Sequence, residues 1–243
     1  MSMIENYESI IYEDKDVKTN VNVKFTNEAI FFDLDGTLWE VIDSTYNSVN
    51  KITKKYNLPS VTINTICNVF GKNRIESAKL YFPNLREEDA LKLLDEIAIL
   101  NIQNLKENGG NVYKNVKETI KRLKKDYDLY IVSNTAHKEY IESFLISSDL
   151  KEYFKDYIAA SELNISKADA INKLTKQYNI EKSVYGGDTK KDLESAQEAQ
   201  IPFIYAKYGF GKDLKVQYYI NDISELENIL KKIFNFESGD INE

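Results

Sequence analysis

The sequence predicts a doubly wound parallel α/β sheet with an all-helical unit inserted after its first strand, and three observations carry that prediction. Short apolar runs at 129–132, 157–160, 183–186 and 201–206 alternate with amphipathic stretches of helical period. Residues 29–32 form a further run that is apolar at every position, as strands buried on both faces are. Between Leu38 and Val112, roughly 70 residues carry helical periodicity and no strand pattern. The organisation that follows is an N-terminal extension over 1–27, a core over 28–42 and 113–243, and a helical cap domain over 43–112.

Each element has its own signal. In 43–56, Tyr46, Val49, Ile52 and Tyr56 fall at helical spacing, with Asp43 or Ser44 as cap and Pro59 beyond the end. Helices at 63–70 and 74–81 stop near Gly71 and Pro83. The longest, 86–108, lines one face with Ala90, Leu93, Leu94, Ile97, Leu100 and Leu105 and ends at Gly109-Gly110. Later helices are expected at 117–125, 137–145, 167–178, 193–199 and 224–234, with a last short strand at 218–220. In the extension, 10–12 and 21–25 have strand character.

Composition narrows the class. A chain of 243 residues, 42% hydrophobic and 29% charged, buries a sizeable core and is globular. No uncharged apolar run approaches the roughly 18 residues needed to span a bilayer. The acidic start (Glu5, Glu8, Glu13, Asp14) is unlike a secretion signal, and the single Cys67 suits a reducing cytoplasm. His137 is the one histidine, so a bound metal should be a hard, oxygen-liganded cation rather than zinc. A net charge of −7 argues against nucleic acid as partner.

The chemistry gathers at strand ends. Asp33 and Asp35 close the first strand, and residues i and i+2 of a strand share a side, so one Mg2+ could face both carboxylates. An acidic turn is the alternative. Ser133-Asn134-Thr135 can cap the next helix or contact an anion. In Gly186-Gly187-Asp188-Thr189-Lys190-Lys191-Asp192, Asp188 reads as a helix cap or a metal carboxylate, with Asp192 as a supporting acceptor. Lys167 opens the preceding helix, as a solvated lysine or a phosphate counter-charge.

Taken together, Asp33-Leu34-Asp35-Gly36-Thr37-Leu38, Ser133-Asn134, Lys167 and Gly187-Asp188 through Asp192 resemble, in order and spacing, the four motifs of the haloacid-dehalogenase-like hydrolase superfamily. The resemblance spans about residues 28–235 and implies a Rossmann-like core, with the insertion placed as in the helical-cap subfamily. Leu38-Trp39, Asp43-Ser44, Tyr81-Phe82-Pro83, Tyr140-Ile141-Glu142 and Tyr208-Gly209-Phe210-Gly211 look like the phosphoglycolate-phosphatase-type members.

The resemblance implies Asp33 as a nucleophile that forms an aspartyl-phosphate, and Asp35 as general acid and then base. It implies Mg2+ on Asp33, Asp188 and the backbone carbonyl of Asp35, with Asp192 in support. Gly36, Ser133, Asn134 and Lys167 would hold the phosphoryl group of a small phosphorylated metabolite. Asp35 favours phosphoryl transfer over dehalogenation, because a halide leaves without a proton. Lys167-Ala168 departs from the Lys-Pro pair common at that motif. The turn Gly71-Lys72-Asn73-Arg74 offers Lys72 and Arg74 to the substrate's organic part, or is a solvated turn. His137 reads as a polar first-turn residue, Cys67 as a small buried one, and Trp39 and Phe210 as hinge packing. A sugar-phosphate mutase using the same site, or a non-catalytic binding module, are the alternatives.

Overall fold

Glu28 and the apolar run after it form strand β1 (Glu28–Phe32), every residue of which is buried. The computed structural model describes residues 27–236, so the strand-like stretches at 10–12 and 21–25 lie outside the described residues. β1 pairs in parallel with β4 (Asp128–Ser133) on one side and β6 (Lys182–Gly187) on the other. β5 (Asp156–Ala159) lies beyond β4, and β7 (Phe203–Ala206) and β8 (Tyr218–Ile220) beyond β6, giving the order β5-β4-β1-β6-β7-β8. The chain runs outward from β1 to β5, then returns to the opposite flank at β6. That reversal opens a crevice at the carboxyl end of β1, where ligands of such sheets bind.

Successive β1 residues feed opposite layers, as the pleat requires. Ile30 and Phe32 pack with α5 (Val116–Leu123), α6 (Lys138–Ser147) and α9 (Leu226–Phe236), whereas Ala29 and Phe31 pack with α7 (Lys167–Tyr178) and α8 (Lys190–Glu198). Both helices of the second layer start at capping boxes, Ser166 with Asp169 and Thr189 with Asp192. Each box satisfies two orphan amides and fixes the first turn. The start of α7 is therefore set by Ser166, and Ala168 in place of proline leaves Lys167 firmly placed.

The inserted unit contains α1 (Ile42–Lys55), α2 (Ile63–Val69), α3 (Arg74–Tyr81) and α4 (Glu87–Asn108), joined by an apolar cluster that includes Val49, Ile52, Ile66, Ala78, Leu93 and Ile97. Two features depart from the sequence reading. Where only helix was expected, β2 (Trp39–Glu40) and β3 (Asn111–Val112) pair antiparallel at the base of the insertion. Gly110 permits this pairing, since a Cβ there would overlap the Trp39 indole. The second departure concerns α4, whose 22 residues span about 33 Å. Its Ile102 and Leu105 join the core cluster with Trp39 and Phe144, so its last turns pack on the sheet layer rather than within the insertion. Among the described residues, no helix is long and apolar enough to cross a membrane.

Candidate active site

After β1 the chain reverses at once. The Leu34 carbonyl accepts the amides of Thr37, Leu38 and Trp39 at 3.3, 2.9 and 3.0 Å, and the Gly36 amide donates to the Trp39 carbonyl at 2.9 Å. Gly36 has φ +84°, a conformation open to glycine, and a Cβ there would overlap the Asp188 carboxylate and the Phe210 ring. At Gly36, where the resemblance implies a phosphate contact, the amide donates within the turn. The absent side chain of Gly36 lets Asp188 close against the loop that carries Asp35.

Four segments distant in sequence meet behind this turn. Lys167 Nζ lies 2.7 Å from Asp33 Oδ1 and 2.6 Å from Asp192 Oδ1, with Lys167, Asp33 and Asp192 all buried. Asp192 is fully engaged: Tyr185 donates to its Oδ1 at 3.2 Å, and the Thr189 amide and hydroxyl donate to its Oδ2 at 2.9 and 2.6 Å. Asp188, just before the Thr189 cap, is not itself a helix cap. Its Oδ2 accepts the Phe210 and Gly211 amides at 2.5 and 3.3 Å, while its Oδ1 is buried with no partner among the described residues. Asp33, Asp188 and Asp192 each offer an oxygen within 4.8 Å of the others. Because Asp192 is saturated, the acceptors open to a cation are Asp188 Oδ1 and the Asp33 oxygen turned away from Lys167.

Burial raises Asp33 from the ordinary 3.8 to about 6, with the Asp192 charge adding and Lys167 opposing. Burial and then the charge of Asp33 take Asp35 to about 7. Asp188 is pushed well up by burial and by Asp192 and Asp33. Asp192 moves the other way. Burial opposes its charge, but the Lys167 ammonium and the bonds from Lys167 and Thr189 hold it below the usual range. Among the described residues, Lys167 pairs with Asp33 and Asp192 and leaves Asp35 and Asp188 without a paired cation, a deficit of positive charge that a divalent cation would remedy.

Asp35 is less enclosed than its neighbours and forms part of the wall of a cavity of about 190 Å³. Ser133, Asn134 and Lys167 line it from the core, and Lys72 lines it from the insertion. Arg74 does not: its guanidinium pairs with Asp95 at 2.7 Å inside the insertion. Phe210 stacks on Phe70 with ring centroids 4.3 Å apart, and Trp39 pairs with Val112 at the base of the insertion. Cys67 is half-buried rather than buried. His137 takes the N-cap position of α6 instead of its first turn, and its Nε2 is buried at the cavity wall without a partner among the described residues.

Sequence reasoning missed Tyr140, Thr45 and Asn101, which also line the cavity. Asn101 carried a signal, since it falls midway between Ile97 and Leu105 on an otherwise apolar helix face. Its Oδ1 accepts Ser44 and Ser48 hydroxyls at 2.8 and 3.3 Å. Tyr140 donates its hydroxyl to Asp35 Oδ1 at 2.8 Å. A larger hollow of about 660 Å³ near α8 and α9 contains no carboxylate among its lining residues.

Known proteins resemble this chain in sequence and in fold. A family model for haloacid dehalogenase-like hydrolases matches residues 30–206. The phosphoglycolate phosphatase of Haemophilus influenzae (strain 86-028NP) is 24% identical over 227 residues, which cover 86% of this chain and 100% of that protein. A solved haloacid dehalogenase-like family hydrolase from Streptococcus pneumoniae superposes with a TM-score of 0.74 at 20% identity, over 83% of this chain and 97% of that one. A predicted phosphoglycolate phosphatase from Haemophilus somnus 129PT gives a TM-score of 0.75 at 22% identity, over 85% and 99%. The family match runs from β1 through the end of β7 and takes in Asp33, Asp35, Ser133, Lys167, Asp188 and Asp192, so the chain belongs to the haloacid dehalogenase-like hydrolase family.

Proposed function

We propose that this hydrolase is a Mg2+-dependent cytoplasmic phosphatase that cleaves a small phosphomonoester through an aspartyl-phosphate on Asp33. The observation that carries the reading is the division between two neighbouring carboxylates. Asp33 is paired with Lys167, while Asp35, two residues on, lines the same cavity with its pKa raised to about 7, suited to carrying a proton.

In the first displacement an Asp33 oxygen bonds to phosphorus. The bond from phosphorus to the organic oxygen breaks, the electron pair stays on that oxygen, and it takes the proton of Asp35. In the second, water attacks phosphorus, Asp35 takes one of its protons, and the bond to Asp33 breaks to release phosphate. Lys167 has three N–H donors and spends two on Asp33 and Asp192, which leaves one for a phosphoryl oxygen beside Ser133 and Asn134.

Asp33, Asp188 and the backbone carbonyl of Asp35 would hold Mg2+, and the orphaned Asp188 Oδ1 is the acceptor that fits it. A bound divalent cation would supply charge neutralisation between the phosphoryl group and the carboxylates. Asp192 acts through Lys167, which it holds in place.

Residues 43–112 are assigned as the cap and 28–42 with 113–243 as the core, joined across the β2–β3 pair. The modest cavity and the presence of Lys72 favour a small anionic metabolite, and phosphoglycolate, for which the Haemophilus influenzae relative is named, leads the panel to be tried. The test is phosphate release from small phosphomonoesters with Mg2+ and with EDTA. Release that needs Mg2+ and disappears in Asp33→Asn is expected. Full activity in that variant would overturn the mechanism, and isomer formation from a sugar phosphate without net release would indicate a mutase.

A further inference from the structure

We propose that Tyr140 is a positioning residue that decides which oxygen of Asp35 carries the proton given to the leaving group; the proposal rests on Asp35 being the general acid. Tyr140 comes from α6, which shares an apolar cluster with Leu34, Leu38 and Trp39 of the turn that carries Asp35, and its hydroxyl donates to Asp35 Oδ1 at 2.8 Å. Among the described residues that hydroxyl has no other acceptor, and the side chain is nearly buried at 7% exposure. If Asp35 turned its own proton toward the phenol oxygen, the phenol proton would be left buried and unsatisfied, which is costly. The stable arrangement of the neutral acid therefore has Tyr140 donating to Oδ1 and the carboxyl proton on Oδ2.

The phenol is held in that pose. Its ring packs on Trp39 with centroids 5.5 Å apart, and Trp39 is braced in turn by Phe144 at 5.4 Å. Trp39 is fully buried and bridges to Asp35 through the backbone. Both partners of the hydrogen bond are thus fixed to the same indole, one through its ring and one through the chain. Asp35 and Tyr140 line one cavity with Asp33, so the proton on Oδ2 is kept for the group that departs as Asp33 attacks. The electron pair of the breaking phosphorus–oxygen bond stays on the leaving oxygen, and the Oδ2 proton neutralises it.

Leaving-group basicity separates this role from a structural one. Phenyl phosphate and p-nitrophenyl phosphate are similar in size, but phenolate is the more basic leaving group and depends more on the acid. Tyr140→Phe keeps the ring and removes only the donor. It is expected to lower kcat/KM for phenyl phosphate about tenfold more than for p-nitrophenyl phosphate, in the same sense as Asp35→Asn. KM should change little and the near-ultraviolet circular dichroism should match the parent protein. An equal loss on both substrates, no loss, or a collapsed dichroism spectrum, set against a selective Asp35→Asn, would overturn the role of Tyr140. If Asp35→Asn is itself unselective, it is the assignment of Asp35 as the acid that fails.

Discussion

Lys167 and Asp33, 134 positions apart in the chain, meet with Nζ 2.7 Å from Oδ1 and both side chains almost wholly enclosed. The contact depends on the capping box that starts α7 and on the strand end that presents Asp33. It places one ammonium between two carboxylates that would otherwise repel each other, Asp33 and Asp192.

Lys167→Met should therefore destabilise the protein as well as inactivate it. Removing one partner of a buried ion pair leaves uncompensated charge and costs about 3–5 kcal/mol. Urea unfolding of the metal-free variant is the measurement. A midpoint equal to that of the parent protein would mean that the pair carries no net stability.

The same cluster predicts how stability varies with pH. Asp33 and Asp35 have folded-state values of about 6 and about 7 against an ordinary 3.8. A carboxyl raised in this way binds more protons folded than unfolded, so its contribution is complete below 3.8 and is lost as pH rises through about 7. Asp192, held below the usual range, acts in the opposite sense, but at pH values beneath that window. In EDTA the melting temperature should fall as pH rises from about 5 to about 7.5. Added Mg2+ should raise it more at the upper end, because protons compete with metal for carboxylates. A flat EDTA profile, or equal Mg2+ shifts at both ends, would contradict the charge deficit assigned to the site.

Much of this was legible in the sequence because it depends on local signals. The apolar run before Asp33, the strand–helix alternation and the bounds Arg74–Tyr81 and Lys167–Tyr178 follow from periodicity and capping residues. Strand ends in such a sheet converge on one edge, which makes Asp33, Asp188 and Lys167 candidates, while their roles come from the family resemblance. What escaped notice depends on direction or on long-range pairing. The β2–β3 pair is two residues long on each side, too short for any period to register. The Tyr140 contact joins positions 105 apart, and an apolar helix face does not reveal that one tyrosine on it points its hydroxyl at a carboxylate. The bond from the Gly36 amide to the Trp39 carbonyl exists only once the turn has formed, so no local pattern announces it.

Lys72 and Arg74 were indistinguishable in sequence, two cations in one turn, and the structure separates them. Lys72→Ala should raise KM for an anionic substrate such as phosphoglycolate more than for p-nitrophenyl phosphate, since Lys72 lines the cavity. Arg74→Ala should leave both KM values near those of the parent and cost at most about 1 kcal/mol in unfolding, because its pair with Asp95 is partly solvent-exposed. The reverse pattern would mean that the turn between α2 and α3 rearranges when substrate binds.

The most direct measurement is mass spectrometry of protein quenched in acid during turnover of a phosphomonoester with Mg2+. The account predicts one added phosphoryl group, carried by the peptide that contains Asp33 and absent in Asp33→Asn. A turning-over enzyme that carries no phosphoryl group, or that carries it on any other residue, would contradict it.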